Sequence, residues 1–476
     1  MTKKTRTVLF SICVFLFLVS ASAVVFYSQG YRFDFEKKKI TKTGAFYFKV
    51  LPRSAQIYLN GQLKKETDFI FGSALIENLL PKTYNIQIKK EGYFTWEKTL
   101  EIKEKQVTEA KNIVLIPEKL GFALLNKEVK DFFFSPDAKK IILEEIRENG
   151  WQINLYDLKN NVKSYLIGEK DIAKSEEVKV DFLSLKFSPD SKRILLKVGL
   201  KKEQKYFILD LEKTPPDLIS LSFLGTDIQD ISFNPQVPQK IFFTKPSGKG
   251  IKENEILQTD LFEANWQSKE ISQTILSNLI AYEASGGNIF FISGEGVLFR
   301  TDFSGKRQEQ ISPLPFPIKK EVNLQLLVNF PKILLKENDN LYFLNQDLES
   351  FKNLSGPVYN SSFSPDFKKI VYFNNYEIWV LFLEEKFDQP QKKVGEEIFL
   401  TRFSEKIGEV FWLTSHYLIF NTGSKIKIAE IDDRDKINIV DLVEFPDPKI
   451  FWNQNNKKLY ILSEKNLYTS RERLAP

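Results

Sequence analysis

A ten-residue pattern that occurs three times constrains the fold of this chain most strongly. Each copy has an aromatic residue, Ser-Pro-Asp, one variable residue, two basic residues and an apolar run. The copies are FSPDAKKIIL from Phe134, FSPDSKRILL from Phe187 and FSPDFKKIVY from Phe363. Ser and Asp suit turn hydrogen bonds, and Pro presets φ at the first central position of a turn. Each copy therefore predicts a tight turn followed by a buried strand.

The apolar run of this pattern recurs eight times along the chain. The runs begin at Ile141, Ile194, Ile241, Ile289, Ile333, Ile370, Leu418 and Leu459, about 45 residues apart on average. A repeat of this length that carries only strand and turn signals predicts a four-stranded propeller blade rather than a helical solenoid. We expect an all-β chain with a β-propeller over residues 118–476, with eight blades favoured and seven possible.

The remaining strands of each repeat are also marked. A third strand is expected to end in a turn-forming Asp, at the tripeptides that begin with Tyr156, Leu209, Thr259, Thr301 and Gln346. Outer strands such as KSYLIGE, EEIFLTRF and NIVDLVEF follow, and new blades are expected near Asn278, Val322, Gly408 and Asp447. The last repeat has material for only three strands, so we expect residues 119–126, KLGFALLN, to complete the eighth blade.

These repeats resemble TolB-like (WD-like) β-propeller repeats, whose hallmark is an aromatic residue followed by Ser-Pro-Asp-Gly-Lys. FNPQVPQKIFF from Phe233 is a fourth, weaker copy. The Gly of the family is replaced here by Ala138, Ser191 and Phe367. Turns and core packing account for the repeated residues, so we expect the variable loops between strands to be the part that is free for recognition.

Residues 44–117 predict a small β-sandwich. In YNIQIKK, Tyr84, Ile86 and Ile88 alternate with polar residues, and Asn60-Gly61 and Glu91-Gly92 mark two hairpins. This segment resembles the PEGA domain, a surface module of prokaryotic envelope proteins, through GAFYFKVLPRSAQIYLNGQ, LLPKTYNIQI and KKEGY. It differs from the family where residues 52–55 read Pro-Arg-Ser-Ala in place of Pro-Glu-Gly-Ala. The resemblance implies a small envelope module.

The amino terminus contains an uncharged run of twenty residues, Val8–Tyr27, behind three basic residues. Such a run spans roughly 30 Å as a helix, the thickness of a hydrocarbon core. We expect a cytoplasmic head and transmembrane anchor over residues 1–28 and a connector over 29–43. The alternative is a cleaved signal peptide, because Ala-Ser-Ala at 21–23 satisfies the cleavage rule. The anchor is favoured because the apolar run continues to Tyr27 and because YSQGYRFDFEKKKITKTG resembles membrane-to-PEGA connectors.

The predicted location is the cell membrane, with a single span and the bulk of the chain extracytoplasmic; secretion is the alternative. The net charge of +6 matches that of residues 1–43, which hold 8 Lys/Arg and 2 Asp/Glu. Residues 118–476 hold 49 basic and 52 acidic residues with no basic stripe. We therefore expect no nucleic-acid partner.

The sequence offers little for catalysis. Cys13 and His416 are the single cysteine and histidine, which excludes an internal disulfide and a Cys/His zinc site. His416 is expected to be structural or at the surface, and DDRD at 432–435 is expected to be a solvated loop. No nucleophile elbow, zinc-protease motif or phosphate loop is present. We predict no catalytic, cofactor-binding or metal-binding residues, and the pattern does not identify ligand-binding ones.

The expected function is that of a membrane-anchored, non-catalytic recognition or scaffold protein of the bacterial cell envelope. It would bind an envelope protein or a cell-surface glycan through propeller loops, in an oligomeric state that the sequence leaves open. The alternative is a surface hydrolase or lyase that acts on glycans or peptides with a carboxylate pair at the propeller mouth.

Overall fold

The computed structural model describes residues 3–148, 150–173, 179–201, 203–213, 215–247, 258–318, 323–345 and 350–474. Helix α1, Lys3–Ser28, opens the chain and has no buried residue. It is long and apolar enough to cross a membrane. A two-stranded hairpin of β1 (Tyr31–Asp34) and β2 (Lys39–Lys42) follows it directly. Everything after the hairpin is built almost entirely from strands, which confirms the predicted all-β class.

Seven strands after the hairpin form a sandwich. They are β3 (Gly44–Leu51), β4 (Gln56–Leu59), β5 (Gln62–Glu66), β6 (Ser73–Leu79), β7 (Thr83–Lys89), β8 (Trp96–Glu101) and β9 (Val107–Val114). One sheet has the order β6-β3-β9 and the other β5-β4-β7-β8. Apolar residues of both sheets, including Phe48, Ile57 and Ile86, share one buried cluster. The sandwich is therefore held together by a core between its two sheets.

The predicted sandwich turns are confirmed. Asn60 and Gly61 have φ values of 50° and 78° between β4 and β5, as a tight primed hairpin turn requires. Gly92 has a φ of 79° in the connection between β7 and β8. Tyr84, Ile86 and Ile88 are buried on one face of β7, as the alternation predicts.

The next thirty-two strands form the propeller. The first, β10 (Phe122–Asn126), precedes blade 1. Blade 1 holds β11 (Val129–Phe134), β12 (Lys140–Arg147), β13 (Gly150–Asp157) and β14 (Val162–Gly168); blade 2 holds β15 (Val180–Phe187), β16 (Arg193–Leu200), β17 (Glu203–Asp210) and β18 (Asp217–Ser220); blade 3 holds β19 (Ile231–Phe233), β20 (Lys240–Pro246), β21 (Thr259–Asn265) and β22 (Glu270–Ile271); blade 4 holds β23 (Leu276–Ser285), β24 (Asn288–Ser293), β25 (Leu298–Asp302) and β26 (Glu309–Gln310).

The second half of the ring repeats this order. Blade 5 holds β27 (Leu324–Asn329), β28 (Lys332–Glu337), β29 (Asn340–Asn345) and β30 (Ser350–Asn353); blade 6 holds β31 (Asn360–Phe363), β32 (Lys369–Phe373), β33 (Glu377–Phe382) and β34 (Glu397–Arg402); blade 7 holds β35 (Ile407–Thr414), β36 (Tyr417–Thr422), β37 (Lys425–Glu430) and β38 (Ile439–Glu444); blade 8 holds β39 (Lys449–Asn453), β40 (Lys458–Ser463) and β41 (Asn466–Ser470). A short helix, α2 (Glu169–Ile172), connects blade 1 to blade 2. A 3-10 turn, Ser222–Leu224, lies in the connection between blades 2 and 3.

Strand β10 closes the ring. It pairs antiparallel with β41, so that blade 8 has the order β10-β41-β40-β39. This confirms that the stretch KLGFALLN supplies the missing strand of the eighth blade. Blades 3 and 4 are additionally joined through β21 and β23 into one eight-stranded sheet. In the part of the chain that the structure describes, the repeats therefore form eight blades.

The second strand of each blade is covered on both faces because neighbouring blades pack against it. In β36, for example, all six residues are buried. This coverage is the physical reason that the apolar runs of the sequence show no alternation.

The three Ser-Pro-Asp turns share one geometry. In blade 1 the amide of Ala138 donates to the carbonyl of Ser135 at 2.7 Å, and the Ser135 hydroxyl donates to Asp137 Oδ1 at 2.6 Å. Ala138, Ser191 and Phe367 have φ values of 52°, 60° and 55°. These are left-handed positions, which explains why the related repeats place Gly there.

One predicted strand end is wrong. Thr259 begins the third strand of blade 3 rather than ending it, and Asp260 accepts hydrogen bonds from the Ser247 hydroxyl and the Asn278 amide. The turn at the far end of this strand uses Asn265, whose Oδ1 accepts from the amides of Gln267 and Ser268. The predicted turn at Gln346 and the predicted blade start at Val322 lie outside the described residues.

Candidate functional site

The inner strands of blades 2 to 5 bring equivalent residues to one cavity. Strand register makes Phe187, Phe233 and Ala284 equivalent, because each lies opposite the first apolar residue of its next strand. The residues just before them are Lys186, Ser232 and Glu283. Since the first strand of each blade lines the propeller axis, these side chains lie around the central channel.

The cavity at this position has a volume of about 710 Å³. Its polar lining comes from four consecutive blades: Lys186, Gln229, Asp230, Ser232, Tyr282, Glu283, Asn323 and Gln325. A cavity of this size accommodates a small-molecule or sugar-sized group.

Charged groups in the cavity influence one another. Lys186 Nζ lies 3.5 Å from Asp230 Oδ1, with both side chains more than half exposed. Burial by the channel walls, together with the negative charge of Asp230, raises the pKa of Glu283 to about 6, although Lys186 opposes the shift. The Glu283 residue is nevertheless exposed to solvent. A carboxyl group that titrates near neutral pH therefore lies beside an ion pair.

A hydroxyl pair lies on the same wall. The Tyr282 and Ser232 hydroxyls are 2.9 Å apart. Burial raises the pKa of Tyr282 well above its usual value, so its hydroxyl stays protonated and donates or accepts as a neutral group. The cavity thus offers a cation, two carboxyls and two hydroxyls to a polar ligand.

The first strands of blades 7, 8 and 1 are joined by aromatic packing. The rings of Phe134 and Phe451 stack with centroids 4.0 Å apart, and Phe411 meets Phe451 edge-on at 5.5 Å. Lys449 Nζ pairs with Asp131 Oδ1 at 2.5 Å. These contacts hold blades 7, 8 and 1 together.

A second cluster of functional groups joins the sandwich to blade 7. Lys98 of β8 and Glu430 of β37 form an ion pair of 2.8 Å in which the side chains are 0% and 4% exposed. The Trp96 indole also donates to Glu430 Oε2 at 2.8 Å. Burial raises the pKa of Glu430, against the attraction of Lys98. A buried pair of this kind fixes two surfaces in one arrangement.

The DDRD segment at 432–435 belongs to this contact, so the prediction of a solvated loop is wrong. Lys98 Nζ donates to the carbonyls of Asp432, Arg434 and Lys436 at 2.7 to 2.8 Å. Arg434 donates in turn to the Glu109 carbonyl of β9 at 2.8 Å. The sandwich therefore holds this loop in place, and among the described residues there is no group of three or more His, Cys, Asp or Glu that could hold a metal ion.

His416 lies at the same junction. It is half-buried, and burial together with Lys369 and Lys386 lowers its pKa to about 4, so it is neutral at physiological pH. Burial also lowers the pKa of Lys386 to about 8. The cavity lined by His416 and Lys386 measures about 40 Å³, room for a few water molecules. The junction is therefore built for packing, and the channel cavity is the better candidate for ligand binding.

Comparison with known proteins adds fold-level information. No family model matches the chain, and no curated protein matches it. Solved structures with a similar fold include an oligogalacturonate lyase in complex with manganese, with 11% identity over 75% of this chain and 93% of that one and a TM-score of 0.40.

Two further similar structures are propeller domains. The β-propeller domain of Swd1 from Myceliophteria thermophila is 10% identical over 75% of this chain and 100% of its own, with a TM-score of 0.39. The β-propeller domain of the Trilobed protease from Pyrococcus furiosus is 14% identical over 76% of this chain and 96% of its own, with a TM-score of 0.37. These similarities are to β-propeller proteins and concern the fold alone.

Proposed function

We propose that this chain is a membrane-anchored, non-catalytic recognition or scaffold protein of the bacterial cell envelope. Helix α1 is the anchor, the sandwich is a PEGA-type spacer, and the propeller binds an envelope protein or a cell-surface glycan. The observation that carries this proposal is the buried Lys98–Glu430 contact, which couples the membrane-proximal sandwich to the propeller. A coupling of this kind suits a protein that presents a binding surface at a fixed position above a membrane.

The ligand-binding part of the proposal rests on the channel cavity. Lys186 of blade 2 and the neighbouring Tyr282 and Glu283 of blade 4 line the same cavity. A ligand with hydroxyl and carboxyl or amide groups, as glycans and peptide segments have, matches this mixture of donors and acceptors. The repeated residues of the blades, in contrast, are used in turns and in the core.

The test uses the full chain in nanodiscs, incubated with cell-wall glycan and surface-protein fractions. Retention of a component and release of products are measured together. We expect retention without product, and we expect Glu283→Gln and Tyr282→Phe to weaken retention about tenfold, the effect of removing one well-placed polar contact. Glu118→Gln, an exposed carboxyl outside the channel, is the matched control. If neither channel variant weakened retention, the assignment of this cavity as the binding site would be contradicted.

The second candidate function is a glycan or peptide hydrolase or lyase, and the pKa of Glu283 favours it. A carboxyl whose pKa is raised to about 6, beside a second carboxyl, is an arrangement with which many glycan-cleaving enzymes protonate a leaving group. This function predicts product release that is lost in Glu283→Gln and in Asp230→Asn. Such turnover would replace the scaffold proposal.

A further inference from the structure

The hairpin of β1 and β2 carries an apolar face that no part of the described chain covers. Phe33, Phe35 and Ile40 are 48%, 82% and 68% exposed. Phe33 and Ile40 are direct cross-strand partners, and the Phe35 ring meets the Phe33 ring edge-on at 5.0 Å. The three side chains therefore form one patch rather than isolated exposed residues.

The other face of the hairpin is fixed to the sandwich. Asp34 and Thr41 are only 4% and 3% exposed, and the Thr41 hydroxyl bonds to the Glu104 carboxylate. Arg32 Nη2 donates to Asn78 Oδ1 at 2.9 Å, and Lys37 Nζ donates to the Pro81 carbonyl at 3.3 Å. Because side chains alternate along a strand, this attachment directs the apolar patch away from the sandwich.

The apolar patch is continuous with helix α1. The Tyr31 ring lies edge-on to Phe26 at 5.5 Å, and the Arg32 guanidinium lies 3.4 Å from the centre of the Tyr27 ring. Arg32 Nη1 also donates to the Tyr27 carbonyl at 2.6 Å. Only two residues separate the end of α1 from the start of β1. If α1 crosses the membrane, the hairpin starts at the level where the helix leaves it.

The charge of the hairpin complements an anionic surface. Residues 29–43 contain five basic and two acidic residues. Lys37, Lys38 and Lys39 are exposed at its turn, beside the apolar patch. Asp34 Oδ1 is engaged with the amides of Glu36 and Lys37. Lys and Arg side chains near an anionic bilayer are attracted to its headgroups.

We propose that this hairpin lies on the bilayer surface, with Phe33, Phe35 and Ile40 in the interfacial region and the lysines of its turn on anionic headgroups. Aromatic side chains favour this depth, and long basic side chains reach from it to the headgroups. Because the opposite face of the hairpin is bound to the sandwich, the contact sets the orientation of the sandwich over the membrane. The inference rests on the anchoring part of the proposed function.

The test places one cysteine at a time in the full-length Cys13→Ser chain and attaches a nitroxide label. Phe35→Cys reports on the hairpin, and Phe69→Cys is the matched control, because Phe69 is a 78% exposed phenylalanine on the far end of the sandwich. Phe10→Cys reports on insertion of α1. The chain is reconstituted in phosphatidylcholine vesicles with and without phosphatidylglycerol, and collisions of each label with oxygen and with a water-soluble nickel complex are measured.

We expect the labels at positions 10 and 35 to favour oxygen and the label at 69 to favour nickel. An inserted position 10 with a position 35 as water-accessible as position 69 would overturn the hairpin proposal and leave the anchor intact. A water-accessible position 10 would overturn the anchor and the hairpin proposal with it. Protection of position 35 in cell membranes but not in lipid vesicles would assign the patch to a protein partner and overturn the lipid contact.

Charge reversal tests the headgroup contact separately. In vesicles with phosphatidylglycerol, Lys38→Glu with Lys39→Glu should shift the label at 35 toward water. The matched pair Lys64→Glu with Lys65→Glu, on the exposed strand β5, should leave it unchanged. Equal behaviour of the two double variants would show that the lysines of the hairpin do not engage anionic lipid.

Discussion

Ala138 occupies a backbone position at which its side chain is a disadvantage. Its φ of 52° is left-handed, where an L-residue costs about 1–2 kcal/mol relative to glycine. Glycine also loses more conformational entropy on folding, and this loss offsets about 0.5–1 kcal/mol of the strain that it relieves. We therefore predict that Ala138→Gly raises the free energy of unfolding by about 0.5–1 kcal/mol, measured by denaturant titration. Ala284→Gly, in strand β23, is the control and should lower it; a loss of stability at both positions would contradict the turn geometry.

Glu283 gives the protein a pH dependence that can be isolated. Its pKa is raised from 4.5 to about 6 in the folded protein, so the folded state holds this proton more tightly than the unfolded state. Stability contributed by this group is present below pH 4.5 and is lost as the pH rises through about 6. Glu283→Gln should therefore match the wild type in acid and become relatively more stable toward neutral pH, as followed by thermal unfolding. A stability difference that does not change with pH would contradict the assigned shift.

At the scale of elements, closure of the ring depends on β10. Ala123, paired with Thr469, lies within this strand. Its amide faces β41, because Gly121, two residues earlier, accepts from the Arg471 amide across the same pair of strands. Ala123→Pro removes this ladder donor and opens the edge of blade 8, so we predict a loss of about 3 kcal/mol or more and hydrogen exchange that spreads through blades 1 and 8. Ser164→Pro, in the outer strand β14 of blade 1, is the control and should expose that blade alone. If hydrogen exchange increased only within a single blade in both variants, β10 would have no special role in ring closure.

The element scale also shows what sequence patterns can predict. Strand β10 was predictable because the last repeat lacked a strand, and the turn at Asn60-Gly61 because positive φ restricts residue choice. The channel cavity was not predictable in this way. Lys186, Asp230 and Glu283 lie in different repeats, and they come together only through strand register. The one available signal was position: Lys186 directly precedes the aromatic residue of a Ser-Pro-Asp turn.

At the scale of the whole molecule, the junction between sandwich and propeller brings together residues more than 330 positions apart. No local sequence pattern predicts such a contact. Lys98→Met leaves Glu430 buried without its cation, so we predict a loss of about 3–5 kcal/mol and separate unfolding of the two units in calorimetry. Lys436→Met removes an exposed ion pair with Glu97 at the same junction, 3.8 Å long, and should cost less than about 1 kcal/mol. A cost for Lys98→Met as small as that of the control would contradict a rigid junction.

The central claim is that the sandwich carries the propeller as one body. Its most direct test is the distance distribution between two spin labels, at Lys64→Cys in the sandwich and Thr226→Cys in the propeller, in the full-length Cys13→Ser chain. We predict a single narrow distance distribution by pulsed electron paramagnetic resonance, and we predict that it broadens when Lys98→Met is added. A distribution that is already broad with Lys98 present, and that this substitution leaves unchanged, would contradict it.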